Sequence, residues 1–167
     1  DEIVPITTPA GLVSEDGCIR PGTSLEGLSG LKPAFDGTVT AGTALPLTDG
    51  SAAVLVCTEA FARAHQLDIL ARIKAVAVAG CPPEIMGIGP VYATRKVLQR
   101  AELNIDNINL VEINEAFSSQ SIACVRELCL DWRKVNLDGG AIAMGHPLGA
   151  TGARITGKAA SLLKRTG

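Results

Sequence analysis

The sequence predicts an α/β fold: a mixed, mainly parallel sheet with helices on its faces. Three observations predict it. After residue 50, short apolar runs alternate with amphipathic stretches of helical period. Glycine-rich turns follow the apolar runs, and aromatics are only 3%, so the core is built from Ala, Val, Ile and Leu. Such alternation marks βαβ units with right-handed crossovers, and the small side chains allow helices to lie close to a sheet. Ligands in these sheets bind outside the carboxyl ends of the strands, which directs attention to the turns.

The elements follow in order. Residues 1–50 are dense in Gly, Pro, Thr and Asp and sustain neither period, so they read as irregular. So long a weakly patterned segment reads as a functional cap rather than a connection. Residues 51–57 follow the Asp49-Gly50 turn signal and read as a buried strand. Residues 58–66 read as a helix with Thr58 as its cap, and 71–79 as a strand. Gly89-Pro90 opens a helix through Ala101, with Arg95, Lys96, Gln99 and Arg100 on its polar face. Residues 108–113 read as a strand leading into a helix over 114–130. Residues 135–137 form a last strand, followed by a glycine-rich turn and a helix over 149–164.

Composition bounds the function. With 167 residues the chain is about one domain. A net charge of −2 gives no bias toward nucleic acid or an anionic membrane surface. No apolar run reaches the roughly 18 residues of a membrane span. Five cysteines, an odd number without a Cys-x-x-Cys pair, argue against a disulfide framework or a zinc site. No metal is expected, and a reducing, cytoplasmic setting is. The sequence begins Asp-Glu-Ile-Val-Pro without Met, which fits a chain that starts mid-protein.

Two motifs carry chemistry, both at expected strand ends. In Asn114-Glu115-Ala116-Phe117 the Asn114 amide either caps a helix or points into the crevice to hold a water or substrate oxygen. Glu115 reads as support for a first helical turn. The second motif runs from Gly139 to Ala153 and includes Gly145-His146-Pro147. Five glycines in those fifteen residues make sharp turns or bring backbone close to something. Pro147 biases His146 away from helix. A histidine so held at a helix start either transfers a proton and donates to an oxyanion, or satisfies loop carbonyls.

Other features carry less. Gly152 to Lys158 imitates a phosphate-binding loop, but Ala159 replaces the required Ser or Thr and the run lies in a helical pattern. His65 reads as a surface residue, and Cys124 and Cys129 as helical packing residues. Cys81, before Pro82-Pro83, has no adjacent base.

Taken together, the two motifs resemble the C-terminal signatures of thiolases. Three more stretches agree in order: Leu31-Lys-Pro-Ala-Phe35 with Gly37-Thr-Val-Thr-Ala-Gly42, Asp49-Gly50-Ser-Ala-Ala, and Ile85-Met-Gly-Ile-Gly-Pro90. The resemblance implies an incomplete thiolase-like fold. Residues 1–48 would be the tail of the loop (cap) region and 49–68 the last elements of the first domain. Residues 69–167 would be the second domain, stopping before its closing strands.

The implied activity is acyl transfer between a cysteine thiol and coenzyme A: thiolytic cleavage of 3-ketoacyl-CoA, or condensation of acyl-CoAs. A nucleophilic cysteine carries the acyl group and a second moves a proton at the alpha carbon. Both family cysteines would lie outside this sequence, so the isolated chain is expected to be inactive. The residue matching His146 activates the nucleophile, and the one matching Asn114 holds a water in the oxyanion hole. Phe117, Met86, Leu31, Phe35, Ala41 and Gly42 match the lining of the acyl and pantetheine channel. Coenzyme A enters as substrate or product, no cofactor is permanently bound, and the full-length protein is expected to be a homo-oligomer, dimer or tetramer. Leu45 departs from the family, which often has a pantetheine-touching Ser there. A ketoacyl synthase would carry His where Asn114 stands, and a non-catalytic lipid-binding relative would lose His146.

Overall fold

The computed structural model describes residues 2–167; the first residue of the expected 1–48 segment lies outside them. The opening region is less irregular than its sequence suggests. Ile6–Thr8 (β1) and Gly11–Val13 (β2) pair antiparallel, with Thr8 opposite Gly11. The Thr8 hydroxyl donates to the Gly11 carbonyl across the turn (2.8 Å), a local bond that propensity over a longer window does not reveal. A short helix, Leu25–Ser29 (α1), follows, with the Ser24 hydroxyl accepting from Gly27 N–H.

Two helices begin where the sequence places them. Thr58 caps Glu59–Ala64 (α2) by accepting from Phe61 N–H at 3.2 Å. A 3₁₀ turn over Pro83–Ile88 runs into Gly89–Ala101 (α3), where Pro90 in the first turn has no N–H to leave unpaired. The C-terminus of α3 closes with Glu102 in the left-handed region and Leu103 N–H on the Leu98 carbonyl (3.0 Å). Ser118–Glu127 (α4) ends the same way, through Cys129 at φ +54° and Leu130 N–H on Val125. Cys129 therefore sits just past the helix, exposed, and not within it as its spacing suggests. The short Ala141–Met144 (α5) precedes the long Leu148–Thr166 (α6).

The core is small. Val91 of α3 meets Cys124 and Leu128 at the end of α4, with Ile88, Ile113 and Leu130 packed around them. Val125, Ala141 and Leu162 are also buried, Leu162 to 1% exposure.

The expected parallel sheet is the main departure. Among the described residues, β1 and β2 form the only hydrogen-bonded sheet. Residues 51–57, 71–79, 108–113 and 135–137 carry strand-like composition, but only Val111 and Val135 make a bridge, in parallel. A strand exists only when a neighbour takes its backbone groups, and composition alone supplies none. At 76–78 the carbonyls are met by α3 side chains instead: Lys96 donates to Val78 and Arg100 to Val76. Apolar side chains that read as core, among them Val56 and Val78, are consequently exposed. An open trough of about 1180 Å³ runs between residues 53–73 and the α6 face carrying Ile155, Ala159 and Leu163.

So large an uncovered apolar surface is an association liability. The isolated 167-residue chain should bind the dye ANS strongly and associate as its concentration rises. Weak dye fluorescence with monomeric sedimentation at all concentrations would contradict the exposed trough.

Candidate active site

Two backbone segments make the site: 111–118, carrying Asn114, and 134–151, carrying His146. Val111 N–H donates to the Lys134 carbonyl (2.8 Å) and Asn136 N–H to the Val111 carbonyl (2.9 Å). That single parallel bridge lays the two segments side by side. The chain then does not enter a helix at Asn114, contrary to the sequence reading. It stays out of helix until Ser118, with Phe117 in extended conformation as the N-cap. Asn114 is thus no helix cap. Its Oδ1 is buried and takes no hydrogen bond from the described residues. A carbonyl oxygen left in that state is an acceptor for a small donor such as water.

Glu115 is likewise not a first-turn helical residue. Its carboxylate accepts from the Asn136 amide (2.7 Å) and from Ile142 N–H (3.2 Å), which ties the Asn114 segment to α5. A Cβ at Gly140 would meet that carboxylate and displace it.

His146 lies half-buried between Gly145 and Pro147. Gly145 adopts φ +87°, and a Cβ on it would strike the Thr48 side chain. Pro147 caps α6 in extended conformation. The His146 ring Nδ1 stands 2.6 Å from Thr151 Oγ1, and the Thr151 hydroxyl donates to the Pro147 carbonyl at 3.2 Å. With the single hydroxyl proton on the Pro147 carbonyl, Thr151 accepts from His146 Nδ1–H, and the neutral ring then presents Nε2 as its free lone pair. This is the arrangement of a proton acceptor.

The residues expected to line the channel divide. The segment carrying Ala41 and Gly42 is pinned to the Asn114 motif: Ser118 N–H donates to Thr43 O (2.9 Å), Leu45 N–H to Ala116 O (3.3 Å), and Ala44 bridges Phe117. Gly42 faces Leu31, whose Cδ1 is 2.8 Å from where a Cβ would stand. Leu31 thus lies against Gly42, and the residues just after Gly42 pair with the backbone around Phe117. Phe35 and Met86 stand in solvent at 79% and 76% exposure. Met86 adjoins α4, where Cys124 donates to the Gly87 carbonyl (3.4 Å).

Charges near the site are balanced rather than reactive. Burial raises the Glu112 carboxyl above its ordinary range, while Lys158 and Arg154 oppose the shift. Hydrogen bonds from Arg165 and then Lys158 hold Asp138 far below the usual carboxylate range. The Gly152–Lys158 run is inside α6 with Lys158 paired to Asp138 and Glu2, which disposes of phosphate binding. Burial pushes the Cys124 thiol up, as befits a packing residue. His65 is exposed and stacks on Phe61, with centroids 4.2 Å apart. Among the described residues no cluster of His, Cys, Asp and Glu could hold a metal, and no helix is long and apolar enough to cross a membrane.

Sequence reasoning missed Thr151, Asn136 and the true role of Glu115. Thr151 had a signal: a hydroxyl in the first turn of the helix that His146 precedes. Asn136 had none, because its partners are more than twenty residues away.

The sequence matches the model of the thiolase C-terminal domain over residues 67–167 and that of the thiolase N-terminal domain over residues 1–60. It is 52% identical to a 3-ketoacyl-CoA thiolase of Aliivibrio fischeri over 162 residues, 93% of this chain and 42% of that protein. The fold matches human mitochondrial 3-ketoacyl-CoA thiolase in complex with CoA at TM-score 0.87 and 42% identity, over 97% of this chain and 42% of that one. It matches the dimeric peroxisomal thiolase of Saccharomyces cerevisiae at TM-score 0.91 and 45% identity, over 98% of this chain and 42% of that one. The chain thus spans about two fifths of the length of the relatives it matches. The fold is thiolase-like, and neither alternative weighed from the sequence is favoured by these matches.

The Thr151 contact makes a spectroscopic prediction. In ¹⁵N-histidine-labelled protein at neutral ring charge, His146 should show the Nδ1–H tautomer, and Thr151→Val should move it toward Nε2–H. An unchanged tautomer in the variant would break the link between Thr151 and the free Nε2.

Proposed function

Because the chain belongs to the thiolase family, we propose that it is the C-terminal part of an enzyme that transfers acyl groups between a cysteine thiol and coenzyme A. The reaction is thiolytic cleavage of 3-ketoacyl-CoA or, in reverse, condensation of two acyl-CoAs. Coenzyme A serves as substrate or product, and no permanent cofactor takes part. Residues 1–48 belong to the cap region, 49–68 close the first domain, and 69–167 form the second. In the complete enzyme, strand-like residues 51–57, 71–79, 108–113 and 135–137 join a mixed, mainly parallel sheet. The working form is a homo-oligomer, and a cytoplasmic location suits the free thiols.

The observation that carries this reading is the 2.6 Å contact of His146 Nδ1 with Thr151 Oγ1, which occupies Nδ1 and leaves Nε2 for chemistry. Nε2 takes the proton of the nucleophilic cysteine, which the remainder of the enzyme supplies. The thiolate adds to the 3-keto carbonyl of the substrate, and negative charge develops on that oxygen. His146, now protonated, donates to the oxyanion. A water that donates one proton to Asn114 Oδ1 has its other proton to give the same oxyanion, and the amide orients it without titrating. The bond between the alpha carbon and the carbonyl then breaks. The alpha carbon takes its proton from the second cysteine, and the acyl group stays on the first until coenzyme A removes it. Leu31, Phe35, Ala41, Gly42, Met86 and Phe117 line the channel for the pantetheine and acyl chain. The placement of Leu31 beside Gly42, and the pairing of residues 43–45 with 116–118, support the assignments of Leu31, Ala41, Gly42 and Phe117 more than those of Phe35 and Met86.

In the full-length enzyme, His146→Ala should lower kcat by at least about a hundredfold, the low end for losing a proton-transfer group. Steady-state cleavage of acetoacetyl-CoA measures it, and a near-normal rate would return His146 to a structural role. The isolated chain should cleave nothing in the same assay.

A further inference from the structure

We propose that Glu115 and Asn136 are positioning residues: a clasp that sets the spacing between the Asn114 and His146 loops for the acyl-transfer step. The inference rests on the thiolase reading above and assigns it two residues that touch no substrate.

Asn136 is buried and adopts φ +47°, a left-handed conformation that asparagine tolerates better than most side chains. That turn aims its carboxamide across to the neighbouring segment. Oδ1 accepts from Ile113 N–H (2.9 Å), and Nδ2 donates to the Ile113 carbonyl (3.0 Å). One side chain thus continues the pairing begun by Val111 and Val135, where no further backbone bridge follows. Nδ2 also donates to Glu115 Oε1 (2.7 Å), and Glu115 Oε2 takes Ile142 N–H (3.2 Å) in the first turn of α5. That N–H is a helix-start donor with no intrahelical partner. Gly140 leaves the room that the carboxylate occupies.

The clasp is placed for function by its neighbours. Glu115 follows Asn114 directly, and α5 leads through Gly145 to His146. An apolar contact could hold the segments together equally well. A carboxylate with its two oxygens on two different donors fixes direction as well as distance.

The test uses the full-length enzyme. Glu115→Gln keeps the size, but a carboxamide has one acceptor oxygen and cannot serve both Asn136 and Ile142. Its kcat should fall about ten- to a hundredfold, the scale of a small misplacement of reacting groups. KM for the acyl-CoA should stay within about twofold, because binding is untouched. Amide exchange should accelerate at Ile113 and Ile142 and stay unchanged in α3. Glu115→Asp, which retains both acceptors on a shorter stem, should recover part of the kcat. Gly140→Ala, which intrudes on the carboxylate from the other side, should show the same kcat-specific loss and serves if the first variant folds poorly. Near-normal kcat in both Glu115→Gln and Gly140→Ala would overturn the proposal. So would lost kcat with unchanged exchange at Ile113 and Ile142, or exchange that rises equally in α3. If the unmutated enzyme cleaves no 3-ketoacyl-CoA, the thiolase reading fails, and exchange at Ile142 still decides whether the clasp exists.

Discussion

The site depends on one constraint: segments 111–115 and 134–142 must run side by side. One parallel bridge and the Asn136 and Glu115 hydrogen bonds hold them there. A neutral hydrogen bond contributes only about 0.5–1.5 kcal/mol net, and one to a charged group about 1.5–3 kcal/mol. No single member is decisive, but removing one strands the others, since an orphaned buried donor or acceptor costs more than its bond returned. Asn114 and His146 inherit their places from this pairing. Asn114 lies directly beyond the clasped Ile113, and His146 follows the helix whose first turn Glu115 holds.

Local signals in the sequence were legible where the physics is local. Thr58 caps α2, Gly89-Pro90 opens α3, and the helix after Pro147 begins within a residue of its expected start. Each depends on bonds within a few residues. The sheet was not legible in the same way. Residues 51–57 and 71–79 have the apolar content of strands, but pairing partners are a property of the whole fold. The motifs at Asn114 and His146 were legible as motifs. Their supports did not show, because Asn136 reaches Ile113 over 23 positions and Glu115 reaches Ile142 over 27. Local reasoning made Asn114 and Glu115 helical, whereas long-range bonds hold them outside the helix until Ser118.

The same contrast explains the surface. Val56, Val78 and the trough beside α6 are apolar and uncovered, while the polar groups around them are largely matched. Asp138 is bound by Arg165 and Lys158, and Arg95 by Glu127. Buried atoms without a partner among the described residues include Asn114 Oδ1, Glu112 Oε1, Thr48 Oγ1 and Arg154 Nε. Thr48 faces Gly145 beside His146. Two of these four atoms, on Glu112 and Asn114, belong to segment 111–118.

The central claim is that the Asn114 carboxamide and the His146 ring converge on one oxyanion. A crystal structure of the full-length enzyme with an acyl-CoA bound tests it most directly. Convergence predicts the thioester or keto oxygen within hydrogen-bond reach of His146 Nε2 and of a water held by Asn114. The two side chains opening on different faces of the sheet, or sharing no water and no substrate atom, would contradict it.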